Sequence, residues 1–437
     1  MIESTIQAGF TGAEFSRFLD SRDEPDWLVK RRRTSWDRFE KRSWPSRRDE
    51  EWIRTDIRLF KLDRFSLPIQ AAEGLEPVSS LLAEDLELGG QSISMNSHSL
   101  LSTLSDSLKS QGVVFGSIGQ LMEEHGELIE ELFCRRQLDA DSDRFNLLNE
   151  ACWSTGHLLY VPRGVVIDEP VHFHSLLGEG GVDLANSMIV LEEGASATVL
   201  AEMTSTGDAQ PGFHCGSMEI MVGGGANLRF VNLQNWSHSV WHFARHHARL
   251  EQDASLQWTS AAMGSRLSKV NQHVTLAGKG ANCQVNGVLF TEGKQHLSYH
   301  TLQHHKAPGC RSDFLYKAAL QGRSRTVWRG MIKVDPAGQQ TDGYQRNDNL
   351  LLSDQARADS IPGLEIAADD VRCTHGSTTS QVDEELIFYA NCRGLARREA
   401  VRLIVSGFFQ QIFDRITIDS VRDALADAIA RRVRDFD

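Results

Sequence analysis

A short turn sequence recurs at a nearly constant interval through the middle of the chain. It stands at Gly194-Ala195-Ser196, Gly225-Ala226-Asn227, Asp253-Ala254-Ser255 and Gly280-Ala281-Asn282, and its alanines are 31, 28 and 27 residues apart. Each step leads into a run that alternates apolar and polar residues. Such an interval is typical of a stacked solenoid, because each coil buries its face only against its neighbours. The sequence therefore predicts a β-helix over residues 155–375, with the four alanines at equivalent inward or turn positions. A β-sandwich would show shorter spacing and no repeated turn.

Helical periodicity replaces this pattern on both sides. Residues 10–60 read as amphipathic helices broken by Pro25 and Pro45, and a further helix is predicted over 118–134. After residue 383 one apolar stripe is predicted to face the solenoid end or a neighbouring helix, and Asp419 to cap a second helix. The stripe consists of Val401, Ile404, Val405, Phe408, Phe409, Ile412, Phe413 and Ile416. The predicted division is a mostly helical region at 1–150, a β-helix core at 151–380 and a helical region at 381–437.

Composition restricts the partners and the compartment. The chain of 437 residues is 41% hydrophobic and 24% charged, as in an ordinary globular protein, and its net charge of -13 argues against a general nucleic-acid binder. The basic run Lys30-Arg31-Arg32-Arg33 lies among many acids and reads as a solvated helical face. No segment has the apolar length of a membrane span, and the N-terminus does not resemble a signal peptide. We expect a cytoplasmic protein that binds neither nucleic acid nor membrane.

The cysteines and histidines do not form a self-contained metal site by spacing. The seven cysteines are scattered and include no CxxC pair, which is typical of separate reduced thiols. His242 and His246, like His300 and His304, are four residues apart, a spacing that suits one helix face. Both pairs lie in segments that read as strand, where four residues span about 13 Å and cannot share one ion. His247 and His305 should point to the opposite faces from their neighbours.

Common catalytic motifs are also missing. The chain has no GxxxxGK[ST], GxGxxG or GxSxG sequence, so it lacks the usual phosphate-binding loops and the nucleophile elbow. A β-helix can support paired-carboxylate chemistry, and the chain has 59 acidic residues. A carbohydrate-acting hydrolase or lyase is therefore one alternative, although no spacing singles out a pair of acids.

The segment from 310 to 380 carries a family resemblance. The runs Thr326-Val-Trp-Arg-Gly-Met-Ile-Lys-Val-Asp-Pro336, Gln340-Thr-Asp-Gly-Tyr-Gln345, Ala356-Arg-Ala-Asp-Ser-Ile-Pro-Gly-Leu-Glu365 and Asp369-Asp-Val-Arg-Cys-Thr-His-Gly376 resemble the core of the SufB/SufD family. Shorter matches extend this resemblance over nearly the whole chain. It implies a right-handed parallel β-helix with helical ends. It also implies a non-catalytic scaffold subunit for iron–sulfur cluster assembly, which pairs with a SufB-like subunit and docks a SufC-like ABC ATPase on its C-terminal helices.

Three features of the resemblance favour the SufD side. The N-terminal CxxC-containing motif typical of SufB is absent, Asn347 stands where SufB carries its essential cysteine, and Cys373-Thr-His-Gly376 resembles the SufD form of the later motif. In SufD the histidine of this motif faces the SufB cysteine. The resemblance thus implies a transient Fe–S cluster at a subunit interface, with none held stably by this chain alone. A SufB-like homodimeric scaffold is a second alternative, and Asn347 counts against it.

The residue pattern at this motif allows two interpretations. Cys373 and His375 are two apart, so a strand would project both side chains from one face, about 7 Å apart, with Thr374 turned away. Either residue could be structural, Cys373 as a small buried hydrophobe and His375 as a hydrogen-bonding group. With the resemblance, His375 becomes a candidate metal ligand or proton carrier that needs further ligands from a partner, and Cys373 a second candidate. Arg397 and Arg398 are the candidate residues for docking the ATPase.

Overall fold

A computed structural model describes residues 9–69, 79–84, 86–136 and 143–433. It is mainly β, with a parallel solenoid of about 8 turns between helical N- and C-terminal regions, which confirms the predicted fold class. Within these residues no helix combines the length and apolar character needed to cross a membrane.

Helices occupy the two ends of the described chain. They are α1 (Gly12–Asp20), α2 (Asp26–Lys41), α3 (Asp106–Ser110), α4 (Ile118–Arg135), α5 (Arg144–Cys152), α6 (Glu384–Cys392), α7 (Arg397–Phe413) and α8 (Asp419–Arg432). The strands are β1 (Gly90–Met95), β2 (His98–Leu104), β3 (Val114–Ser117), β4 (His157–Val161), β5 (Val171–Leu177), β6 (Val182–Leu191), β7 (Ser196–Ser205), β8 (Phe213–Val222), β9 (Asn227–Asn235), β10 (Trp241–Leu250), β11 (Ser255–Ala262), β12 (Leu267–Leu276), β13 (Asn282–Thr291), β14 (His296–His305), β15 (Arg311–Leu320), β16 (Arg325–Val334), β17 (Thr341–Leu351), β18 (Arg357–Ile366) and β19 (Val371–Gln381).

The strands form two sheets that run side by side along the solenoid. One sheet has the order β19-β17-β15-β13-β11-β9-β7-β5-β1-β2, and the other has the order β18-β16-β14-β12-β10-β8-β6-β4-β3. All pairs from β4 onward in sequence are parallel, and the described antiparallel pairs, β1 with β2 and β3 with β4, lie at the N-terminal end. Successive coils therefore place register-matched side chains beside one another on the same face.

The repeated turn sequence stacks from coil to coil as predicted. Ala195, Ala226, Ala254 and Ala281 are all buried, and each directly precedes a strand of the first sheet. The residues before them have positive φ values of 70°, 65°, 54° and 73°. This left-handed conformation favours glycine because it has no Cβ. Gly309 and Gln340 adopt the same conformation, with φ values of 69° and 59°, so the turn continues for two coils in which alanine is replaced.

The N-terminal region packs an aromatic cluster against the second sheet. The helices predicted for residues 10–60 end at Lys41, so the expectation of helix across Trp44 and Trp52 is wrong. Trp52 is buried and stacks on Phe145 of α5, with ring centroids 5.6 Å apart. Burial of aromatic area against the sheet replaces helix formation there. The helix predicted for 118–134 is confirmed as α4, and β1–β3 extend the two sheets before residue 151.

The C-terminal helices cover one flank of the solenoid. Six residues of the predicted stripe are fully buried, and Ile404 and Phe408 pack on the same cluster as partly buried side chains. The cluster also includes Val288 and Leu315 from the first sheet. The prediction that Asp419 caps the last helix is wrong, because α8 begins at Asp419 after Ile418, and Ile418 has no side chain that could cap it.

Candidate functional site

The solenoid has an open end formed by its last coil. Strand β18 pairs only with β16, and β19 pairs only with β17, so each has one strand neighbour in the described chain. An edge strand of this kind presents unpaired backbone N–H and C=O groups. Cys373 and His375 both lie on β19 and therefore belong to this end.

His375 ends a column of inward-facing residues. Strand register places it beside Gln345, and the same column continues inward through Phe314, Val285 and Trp258. The other four side chains are fully buried, whereas His375 is exposed. A residue at a core-facing position is thus uncovered because no further coil follows it.

Cys373 lies on the same side of β19, as the spacing predicted. It pairs in register with Gly343, and it packs as a half-buried side chain on the small cluster of Ile332, Val334 and Ala368. Burial raises the pKa of the Cys373 thiol above its usual value. The reactive thiolate is therefore a smaller fraction at neutral pH than for an exposed cysteine.

Strand β18 also carries apolar side chains that occupy core-facing positions and are exposed to solvent. Leu364 and Ile366 of β18 pair in register with Ile332 and Val334, which are both buried. Leu364 is 39% exposed and Ile366 is 40% exposed. The open end therefore has an apolar half on β18 and a polar half at His375 on β19.

Gln345 forms the layer directly below His375. Its Nε2 donates to the carbonyl oxygens of Gly330, at 3.4 Å, and Gly363, at 3.0 Å, so its amide joins the two sheets. Its Oε1 is buried and has no hydrogen-bond partner in the described chain. A buried acceptor without a donor is unfavourable.

Asn347 is an interior structural residue in this coil. It is 1% exposed, its Nδ2 donates to the Tyr316 carbonyl oxygen at 3.3 Å, and its Oδ1 accepts hydrogen bonds from Asn349 Nδ2 and Ser360 Oγ. These contacts connect β17 to β18. Asn347 stands opposite Ser377, two residues along β19 from His375.

Ion pairs strengthen the outward-facing side of the same strands. Arg372 Nη2 of β19 is 2.7 Å from Asp342 Oδ2 of β17, which Arg311 of β15 also contacts. The hydrogen bond from Arg372 is the main cause that lowers the pKa of Asp342. This series holds the last coil on the solenoid from outside, while the inward side remains uncovered.

The described histidines do not assemble into a metal site. Among the residues that the structure places, no group of three or more His, Cys, Asp and Glu side chains is arranged to hold a metal ion. His242 and His246 lie on β10 and His300 and His304 on β14, which confirms that both pairs are on strands. His304 Nε2 lies 2.9 Å from Asp335 Oδ1, while His305 is buried and contacts Ser312, so those two neighbours face opposite sides.

The C-terminal helices present a second exposed surface. Arg397 forms two hydrogen bonds with Glu384, of 2.8 and 2.6 Å, which tie α7 to α6, and Arg398 Nε donates to the Val433 carbonyl oxygen at 3.3 Å. The same two helices also carry four exposed apolar side chains, Leu386, Phe388, Tyr389 and Leu403. Phe388 is 70% exposed.

Sequence reasoning identified His375 and Cys373 but missed their surroundings. Leu364 and Ile366 follow the ordinary alternation of a strand, which does not reveal that their inward face is uncovered. Gln345 carries no motif of its own. The exposed apolar side chains of α6 could have been found, since Leu386 and Tyr389 are three residues apart on a short helix whose other face holds Ile387.

Comparison with known proteins places this fold in a family. The model of the SUF system FeS cluster assembly SufBD core domain matches residues 175–408, and that of the SufBD protein N-terminal region matches residues 16–173. An iron-sulfur cluster assembly SufBD family protein of Mycobacterium tuberculosis is 32% identical over 297 residues, covering 66% of this chain and 74% of the relative. Another, from Staphylococcus saprophyticus, is 24% identical over 423 residues, covering 92% and 89%. The chain therefore belongs to the SufBD family of iron–sulfur cluster assembly proteins.

Proposed function

We propose that this chain is a SufD-type, non-catalytic scaffold subunit that pairs its open solenoid end with a SufB-like subunit. The observation that carries the proposal is the uncovered last coil, where Leu364, Ile366 and His375 occupy core-facing positions in contact with solvent. A related solenoid could continue both sheets across this end by strand addition. The apolar half would then be buried, and His375 would lie inside the interface.

In this proposal His375 acts as a ligand to iron or as a proton carrier, and the cluster is a transient cargo. A neutral imidazole is a suitable ligand for iron, and the partner supplies the remaining ligands. Cys373 is the second candidate, and the raised pKa of its thiol makes it the weaker one.

Asn347 supports the SufD assignment over a homodimeric SufB-like scaffold. Its amide makes structural hydrogen bonds through both Nδ2 and Oδ1, and it cannot accept sulfur as a thiolate does. A chain of this type depends on its partner for the sulfur-accepting group. This is why we propose a heterodimer in the cytoplasm as the working assembly.

A SufC-like ATPase is proposed to dock on the C-terminal region at 381–437. The exposed apolar side chains Leu386, Phe388, Tyr389 and Leu403 provide area for docking, and Arg397 and Arg398 on α7 provide charge. Since α7 packs directly on the first sheet through Val405 and Phe409, movement of the docked ATPase can shift the helices against the solenoid.

Co-expression with a SufB-like subunit and a SufC-like ATPase tests the proposal. The expected result is a complex in which both partners co-purify and which assembles iron and acid-labile sulfide when supplied with both. This chain alone is expected to assemble neither. Recovery of the chain without the SufB-like subunit, or equal cluster yield from this chain by itself, would contradict the assignment.

A further inference from the structure

A groove of about 620 Å³ lies far along the chain from the open end, in the N-terminal region. One side is the connection between α1 and α2, and the other is the first three turns of α4. No residue of the proposed cluster or ATPase sites lines it. The groove is therefore a separate surface feature with its own chemistry.

The wall of the groove is aromatic and apolar. Trp27 and Met122 line it as partly buried side chains, and Trp153 lines it from the interior. Trp153 is fully buried, yet its indole N–H has no hydrogen-bond partner in the described chain. A buried donor without an acceptor is unfavourable by about 1–3 kcal/mol.

The rim of the groove is acidic and unpaired. Four exposed carboxylates line it, and none forms a salt bridge with a described residue: Asp23, Glu123, Glu127 and Glu130. The one arginine that lines the groove, Arg22, is already engaged, with its Nε 2.6 Å from Glu24 Oε1. The rim therefore favours a positively charged occupant.

Two glycines on α4 leave open space along the groove. A Cβ on Gly126 would meet no atom within 4 Å, and one on Gly119 would meet only Ser117 Oγ at 4.0 Å. The helix bends at His125, where φ is -127° and ψ is 32°, but neither glycine has a positive φ. Each glycine costs the helix up to about 1 kcal/mol relative to alanine. No internal contact offsets this cost, and a close approach by another backbone would.

We infer that this groove binds a basic, apolar-anchored segment of a partner protein. Lysine or arginine side chains of the segment pair with the rim carboxylates, and an apolar side chain enters between Trp27 and Met122 against the Trp153 wall. The residues of the sequence outside the described ranges contain a single basic residue, Arg434, so none of them forms a basic segment of this kind.

The probe is a fluorescein-labelled amphipathic peptide with arginine and leucine at helical spacing, and its binding to the full chain is followed by anisotropy. A second probe of the same composition alternates the two residues to favour an extended form. The triple variant Glu123→Gln, Glu127→Gln, Glu130→Gln is expected to weaken binding about tenfold and to reduce its salt dependence. Failure of both peptides to bind the wild-type chain would overturn the inference.

Two controls separate docking from general attraction to an acidic protein. The matched triple variant Glu84→Gln, Glu87→Gln, Glu124→Gln removes three exposed carboxylates that do not line the groove, and it should bind like wild type. Gly126→Leu keeps all charges, fills the groove and improves helix propensity, so it should weaken binding while the melting temperature holds or rises.

Equal losses of peptide affinity in both triple variants would show that binding depends only on the net charge of the protein, and would overturn the inference. Unchanged binding by Gly126→Leu would also overturn it. If sedimentation shows that Gly126→Leu instead breaks a dimer of this chain, the occupant is a second copy and the basic-segment assignment is wrong.

Discussion

His214 and His242 face each other inside the solenoid, with their Nδ1 atoms 2.8 Å apart. Trp236 Nε1 also donates to His242 Nδ1, at 3.2 Å, so His242 accepts both hydrogen bonds and His214 Nδ1 carries a proton. Burial lowers the pKa of His214 to about 3 and that of His242 well below its usual value. Both rings are therefore neutral at physiological pH, and the contact depends on that neutrality.

The folded state should lose stability as the pH falls below about 6.5, the ordinary pKa of histidine. Burial lowers the pKa of His157, His172, His214 and His273 to about 3 and that of His246 to about 4. The unfolded chain therefore binds more protons than the folded chain between about pH 6.5 and 3. Each such histidine lowers the free energy of unfolding by up to about 1.4 kcal/mol for each pH unit of acidification. Asp183, whose pKa burial raises to about 7, acts in the opposite direction and offsets about one histidine between pH 4 and 7. Urea unfolding at several pH values measures the slope.

One substitution tests the origin of that slope. His246→Gln should reduce the dependence of unfolding free energy on pH by about one proton, because it removes one titrating ring. Phe290→Leu, a change at a buried ring with no described ring contact to a histidine, should lower stability equally at every pH. A slope that His246→Gln leaves unaltered would show that the buried histidines do not determine the acid sensitivity.

His375→Ala should leave the fold and partner binding unchanged while cluster assembly is lost. The side chain is exposed and makes no described hydrogen bond that supports the coil, so its removal costs little stability. Melting temperature, co-purification with the SufB-like subunit and iron and sulfide content are the three measurements. Wild-type cluster yield from the variant would return His375 to a structural role.

Leu364→Glu should weaken pairing with the SufB-like subunit by more than about tenfold, since it places a charge where apolar area is to be buried. Glu365→Gln is the matched control, because Glu365 alternates to the outward face and contacts Lys333 at 2.9 Å. Binding measured by surface plasmon resonance compares the two. Equal binding of Leu364→Glu and wild type would show that the open end does not form the interface.

Phe388→Ser should weaken ATPase docking and leave the melting temperature unchanged, because the ring is mostly in solvent. Arg397→Glu should also weaken docking. The double variant Arg397→Glu, Glu384→Arg restores the contact between α6 and α7 with reversed charges. If that double variant binds the ATPase as wild type does, Arg397 serves the helix pair and does not contact the ATPase.

Gly225→Val should lower the unfolding free energy by about 1–2 kcal/mol, since valine is disfavoured at a φ of 65°. Gly225→Asn should cost less, because asparagine tolerates this conformation better. A Cβ at this position meets no atom within 4 Å, so the difference reports backbone conformation and not crowding. Similar losses for both variants in chemical denaturation would contradict this explanation.

The repeated turn could be predicted from the sequence because the positive φ at its first residue restricts which residue types can stand there. Gly194 and Gly280 satisfy the positive φ directly, and the alanines after them fill a narrow interior corner. The continuation at Gly309-Cys310 and Gln340-Thr341 was not recognised, since cysteine and threonine occupy the same corner without sharing the letter pattern.

Whether the candidate site is exposed to solvent could not be predicted from the sequence in the same way. Strand alternation predicted that Cys373 and His375 share a face, and the register agrees. Whether that face is covered depends on the absence of a following coil, which is a property of the whole stack. The irregular path of Trp44 and Trp52 was missed for a similar reason, because contacts with Phe145, distant in sequence, override the local helical pattern.

The last coil differs from every internal coil in having one neighbour where they have two. In a solenoid each interface between coils contributes a separate share of the folding free energy, so the last coil lacks one share. A subunit that docks there acts as the missing neighbour. Binding and completion of the fold then become a single equilibrium, in which any change that loosens β18 or β19 also lowers the affinity for the partner.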